Sequence, residues 1–259
     1  MNAHRQYQQL RNRTQDMECV FISTPSPRNG STLLQRLITS SDELLIFGEQ
    51  PFVWLNLLHA LPKFDASSES GNNRGDVFPD TRIQRRDELL QKFVRQSGEV
   101  YPQEARPEDA SVQHLLETFE SLIKTYHTTA RQYDFQRWGA KAVWLDDHTL
   151  PLLRDLFPRA RFLFLFRNIQ SVLESLNAQI RRPHHTWNLE GTYEWKIERY
   201  YRIWEDQLRW AQQTLQDAPD TRILQTETFL ADPKSNLEDL CEFLDIDHID
   251  AGESPFVGW

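Results

Sequence analysis

Cysteine is scarce in this chain of 259 residues: Cys19 and Cys241 stand far apart and show no C-x-x-C spacing. That excludes a disulfide-built scaffold and a cysteine zinc site, and both read as buried thiols, with no metal expected. Long hydrophobic runs are missing as well. The longest, such as residues 162–166, reach about a quarter of the ~20 residues needed to cross a bilayer, so no membrane span is expected. Residues 1–16 are polar throughout (His4, Arg5, Gln6, Gln8, Gln9, Arg11, Arg13) and lack the apolar stretch of a secretion signal. Residues 1–17 are therefore expected to be a flexible N-terminus and the chain to be cytoplasmic. Positive charge is in deficit, 29 Lys and Arg against 38 Asp and Glu, for a net charge of −9. Non-specific nucleic-acid binding depends on phosphate neutralisation, so no nucleic-acid partner is expected. An anionic ligand needs a local site, made from backbone N–H groups at a helix N-terminus and a few arginines.

Apolar residues are nonetheless plentiful, at 39% with 8 Trp and 15 Phe, which suffices for one large core over residues 1–259. Residues 18–24 read as a strand ending at a Pro-Ser-Pro cluster, and residues 31–39 as a helix with Leu33, Leu34, Leu37 and Ile38 on one face. Residues 44–47 read as a short strand before Gly48-Glu49-Gln50-Pro51, with Pro51 opening a helix that carries Trp54, Leu57 and Leu58. Residues 65–80 are rich in Ser, Gly, Asn and Asp and read as a surface loop or lid, followed by helical patterns at 85–96 and 112–131. Residues 62–132 thus form a loop and helical insertion. Strand patterns at 138–144, 162–166 and 222–225 then alternate with helical ones at 149–157, 169–180, 193–215 and 233–244. The run 162–166 suits a central strand buried on both faces. Alternation of this kind implies an α/β fold with a parallel sheet.

Between the first strand and the first helix lies Thr24-Pro25-Ser26-Pro27-Arg28-Asn29-Gly30-Ser31-Thr32. A strand feeding a tight loop and a helix with free first-turn N–H groups is a phosphate or sulfate site. Against the triphosphate pattern G-x-x-x-x-G-K-[ST], the first Gly is Pro25 and the Lys is Ser31, so an ordinary ATP or GTP loop is disfavoured. Arg28 supplies the positive charge and suits two oxygens of one anion. Taken alone, the segment also fits a plain turn with Ser31 capping the helix.

Pro27-Arg28-Asn29-Gly30-Ser31-Thr32 resembles the 5′-phosphosulfate loop P-[KR]-S-G-[ST]-T of sulfotransferases that use 3′-phosphoadenosine 5′-phosphosulfate (PAPS), departing at Asn29. Arg167, at the end of an apolar strand, with Ser175 eight residues on, resembles the same family's 3′-phosphate signature. The likeness extends over roughly residues 18–246, through Trp138-Gly139-Ala140-Lys141, Leu156-Phe157-Pro158 and Glu227 to Pro233. It is similar most of all to the tyrosylprotein and broad bacterial branches. Leu33, Thr226 and the Ala-Val pair after Lys141 depart from the pattern.

The resemblance implies a three-layer α/β/α domain of P-loop NTPase-like type, with PAPS as donor and the adenosine 3′,5′-bisphosphate PAP as product. It implies Arg28, Asn29, Gly30, Ser31, Thr32, Arg167 and Ser175 as cofactor-binding residues, with Arg28, Lys141 and the base Glu49 as catalytic ones. His59, His148, His184 and His185 are rival bases, and the Arg181-Arg182 pair either adds to the 3′-phosphate site or sits in water. The acceptor is a small-molecule or peptide hydroxyl, met by residues 65–110 and 181–193. A nucleotide or small-molecule kinase and a non-catalytic nucleotide-binding protein stay open beside this reading.

Overall fold

The computed structural model describes residues 3–48, 107–141, 145–147, 149–180 and 193–250. In chain order these form α1 (Ala3–Thr14), β1 (Val20–Ser23), α2 (Ser31–Thr39), β2 (Leu44–Phe47), α3 (Pro107–Gln132), β3 (Arg137–Lys141) and α4 (Thr149–Leu156). There follow β4 (Arg161–Phe166), α5 (Ile169–Ile180), α6 (Tyr193–Thr214), β5 (Thr221–Gln225), α7 (Thr226–Ala231) and α8 (Pro233–Leu244).

The strands make one five-stranded sheet in the order β2-β3-β1-β4-β5, and every pairing is parallel. Successive strand side chains point to opposite faces, and both faces here are covered. Phe21, Trp138, Ala140, Phe162 and Phe164 pack on one side with Leu10 of α1, Phe119 and Ile123 of α3, Leu153 of α4 and Ala211 of α6. Val20, Ile22, Ile46, Leu163 and Leu165 pack on the other with Leu34 and Leu37 of α2, Phe229 of α7 and Leu240 of α8. Three layers result, and the unbroken apolar run of β4 is explained by burial on both sides. β4 is an interior strand between β1 and β5, while β1 holds the centre of the sheet.

At Gly139 the sheet leaves no room for a Cβ, which would strike Ile46 Cδ1 and the backbone oxygen of Val20.

The expectation of a flexible segment at 1–17 is corrected by α1. Its sequence is polar, but Leu10 and Thr14 are buried, and Tyr7 Oη donates to Asp155 Oδ2 at 2.8 Å. Arg11 pairs with the same Asp155 at 3.1 Å, and Thr14 Oγ1 donates to the Leu156 carbonyl. A few tertiary contacts to α4 outweigh the weak periodicity. Cys19 is buried as expected, whereas Cys241 is only half-buried and Phe243 takes the inward place on α8. Tyr201 of α6 is exposed.

Among the described residues no helix is long and apolar enough to cross a membrane. The expected helix after Pro51, the loop at 65–80 and the helix at 85–96 lie outside the described residues.

Candidate active site

In a parallel sheet the strands' C-terminal ends share one edge, and ligands of open α/β sheets bind there. β1 delivers the loop 24–30 to that edge, β3 delivers Lys141, β4 delivers Arg167 and β5 delivers Thr226.

The loop turns sharply because Arg28 (φ 75°) and Gly30 (φ 90°) both take the left-handed region. Glycine enters it freely. An arginine does so only where its surroundings hold it, a form of strain that gathers at ligand sites. Gly30 is also the N-cap of α2 and no side chain caps the helix, so Ser31 is not the cap. A Cβ on Gly30 would sit 3.4 Å from Thr226 in ordinary contact, so the left-handed turn, not crowding, is what calls for glycine. Among the described residues the amides of Ser31 and Thr32 donate to no acceptor. Two open donors at a helix N-terminus, with two hydroxyls beside them, suit an anionic oxygen cluster.

Positive charge converges on this turn from two sides. Lys141 is only 4% exposed, and its Nζ donates to Thr32 Oγ1 at 2.9 Å. A buried ammonium is costly without partners, so a strand-end lysine simply standing in water is set aside. Arg28 is exposed, and its Nε donates to Ser175 Oγ of α5 at 2.9 Å. The two motifs read from sequence, one in the loop and one across β4 and α5, therefore meet.

Arg167 is half-buried at the start of the turn after β4. Its backbone N–H donates to Asn29 Oδ1 at 2.7 Å, and its carbonyl accepts from Trp204 Nε1 of α6 at 3.1 Å. Its Nε stands 3.8 Å from Glu227 Oε1, which also accepts from the Asn168 N–H at 3.0 Å. Glu227 and Trp204 were not singled out as site residues from sequence. Trp204 lies in the helical stretch 193–215, and its indole N–H bond to the Arg167 carbonyl gives it a part at the site. Asn29, expected to touch the cofactor, is fully buried with its side chain turned into the protein.

Glu49, His59, His148, Arg181, Arg182, His184 and His185 lie outside the described residues. A separate cleft of about 350 Å³ sits at the opposite sheet edge, lined by Glu18, Arg137, Arg159, Arg161 and Asp220. Its charges are already engaged: Arg137 donates to the Leu244 and Asp245 carbonyls, Arg159 pairs with Glu18, and Arg154 forks onto Asp220.

Fold and loop together define an α/β domain of three layers that carries an exposed arginine, a buried lysine and two open amides at the C-terminal edge of its sheet. The profile of the Sulfotransferase family matches residues 20–250, and the chain belongs to that family. Two solved structures share its fold, with a TM-score of 0.51 in each case. One is the sulfotransferase domain of the olefin synthase of Synechococcus PCC 7002, 21% identical over 95% of this chain and 81% of that one. The other is the sulfotransferase domain of the curacin biosynthetic pathway, 17% identical over 95% of this chain and 80% of that one. No curated protein matches the chain.

Proposed function

We propose that this sulfotransferase takes its sulfuryl group from PAPS and passes it to a hydroxyl of a small-molecule or peptide acceptor, by in-line transfer. The observation that carries the reading is the hydrogen bond from Arg28 to Ser175, which joins the loop resembling a 5′-phosphosulfate site to the segment resembling a 3′-phosphate site. A donor with phosphates at both ends of one nucleoside is the ligand such a cleft suits.

The residues present fit that donor. The open amides of Ser31 and Thr32, with the hydroxyl of Ser31, suit the oxygens of the 5′ group. Arg28 adds a fork of donors on the open side. Arg167 and Ser175 are assigned to the 3′-phosphate. When bound, the donor supplies the activated sulfuryl group and a phosphate leaving group. Lys141, held against Thr32 Oγ1 in a buried setting, counters negative charge as it grows on that leaving oxygen. Glu49 is assigned to take the proton of the acceptor hydroxyl. The lysine ammonium at Thr32 also speaks against a kinase, because triphosphate loops direct that hydroxyl to a metal ion.

The test is thermal and enzymatic. PAP should raise the melting temperature while magnesium-ATP does not, and labelled PAPS should pass label to members of a hydroxyl-acceptor panel. Stabilisation by magnesium-ATP alone would favour the kinase. Stabilisation by PAP with neither transfer nor slow hydrolysis of PAPS would favour a non-catalytic binding protein.

A further inference from the structure

Asn29 is buried to 0% exposure, and its side chain is used in both senses. Nδ2 donates to the Ser26 carbonyl at 2.5 Å and to Ser26 Oγ at 3.0 Å, within the loop after β1. Oδ1 accepts from the backbone N–H of Arg167 at 2.7 Å, at the end of β4. Its own carbonyl accepts from Thr226 Oγ1 at 2.7 Å, at the start of α7. One residue thus ties together the three strand exits that frame the cleft. Two of the positions that depart from the family pattern, Asn29 and Thr226, are bonded to each other. Only a short side chain carrying a donor and an acceptor makes both contacts: serine is too short to span them, and aspartate has no donor for the Ser26 carbonyl.

We infer that Asn29 is a positioning residue that fixes the spacing between the 5′ loop and the Arg167 and Ser175 arm, so that the two phosphates of one nucleotide reinforce each other's binding. The inference rests on the PAPS reading of the cleft. A rigid ligand with two anionic ends gains from its second contact only while the two sites keep the matching separation, and displacements of about 1 Å already cost heavily. Cutting the clip leaves the Ser31 and Thr32 amides on α2 and Arg167 and Ser175 on their own elements, so its main effect is on the distance between the two sites.

The experiment compares calorimetric affinities of PAP, AMP and adenosine 3′-monophosphate in the wild-type chain, Asn29→Ala, Asn29→Ser and Ser26→Ala. In the wild type PAP should bind much more tightly than either monophosphate. Asn29→Ala should reduce that advantage about tenfold while leaving each monophosphate within about twofold of its wild-type affinity. Ser26→Ala, which keeps the bond to Arg167, should retain most of the advantage. Should Asn29→Ala not fold, Asn29→Ser gives the same comparison with less volume removed. A lower melting temperature with an unchanged PAP advantage would make Asn29 a packing residue and overturn the inference alone. A wild-type chain that binds PAP no better than AMP would overturn the PAPS reading and the inference with it.

Discussion

Arg28 Nε donates to Ser175 Oγ at 2.9 Å across a separation of 147 residues. The contact holds the guanidinium beside Ser175 of α5 through Nε, and its terminal nitrogens make no other bond among the described residues. A side chain as long as arginine loses substantial rotamer freedom when it binds. Here part of that ordering is already in place before any nucleotide arrives.

Arg167→Ala should weaken PAP binding by about 1.5 to 3 kcal/mol, the scale of a hydrogen bond to a charged group. Affinity for AMP should scarcely change, because AMP lacks the 3′-phosphate. Calorimetry with the two nucleotides is decisive, and equal losses for both would remove Arg167 from the 3′ site.

Lys141→Met keeps the apolar stem and deletes the charge beside Thr32 Oγ1. Single-turnover transfer should slow by about 10²- to 10³-fold, the range seen when one stabiliser of developing charge is lost. PAP affinity should fall much less. A loss confined to affinity would make Lys141 a binding residue only.

Glu49→Gln should lower kcat by ~10²- to 10⁴-fold with PAP binding near wild type, as expected for loss of a general base. His59→Gln and His148→Gln serve as parallel variants under single-turnover conditions. Undiminished turnover in the Glu49 variant reassigns the base to whichever histidine variant fails.

Gly139→Ala should destabilise the fold by about 1 to 3 kcal/mol or more, since overpacking forces neighbours to shift and one neighbour here is the main chain of Val20. Urea titration reads the change directly. A stability equal to wild type would mean that β1 and β3 separate without cost.

Burial pushes the Cys19 thiol well above its ordinary value, with Arg137 pulling part of the way back and Glu18 pushing upward. The unfolded thiol ionises from about pH 8.5 upward while the folded one keeps its proton. Its contribution is therefore fully present below that pH and is lost as pH rises toward the folded value. Cys19→Ala should show a shallower alkaline fall in unfolding free energy between about pH 7.5 and about pH 10. An unchanged slope would assign the alkaline fall to other groups.

Much of the framework can be read from local pattern. The periodicity of Leu33, Leu34, Leu37 and Ile38 delimits α2 at Ser31–Thr39, and the spacings of α5 and α8 end where the structure ends them. β2 at Leu44–Phe47 is equally plain. Elements held by tertiary contacts are another matter: α1 offers little apolar periodicity, and α7 follows β5 without a separating turn. At the candidate site, the anion-loop pattern around Arg28 and Thr32 can be read from residue type and spacing, whereas Ser175 and Lys141 come only from the resemblance to the sulfotransferases. The inward turn of Asn29 comes from neither, because it depends on how far the end of β4 stands from the loop.

The clasp of α1 over α4 bears on where the foldable unit begins. The family profile starts at residue 20, but the first anchoring groups, Tyr7, Leu10, Arg11 and Thr14, come before it. A fragment trimmed to the profile would retain every strand and every candidate site residue while removing α1 with its buried Leu10 and its ties to Asp155 and Leu156, which uncovers core residues that α1 packs against. Such a fragment is expected to aggregate, and its silence in an activity assay would then report on solubility instead of chemistry.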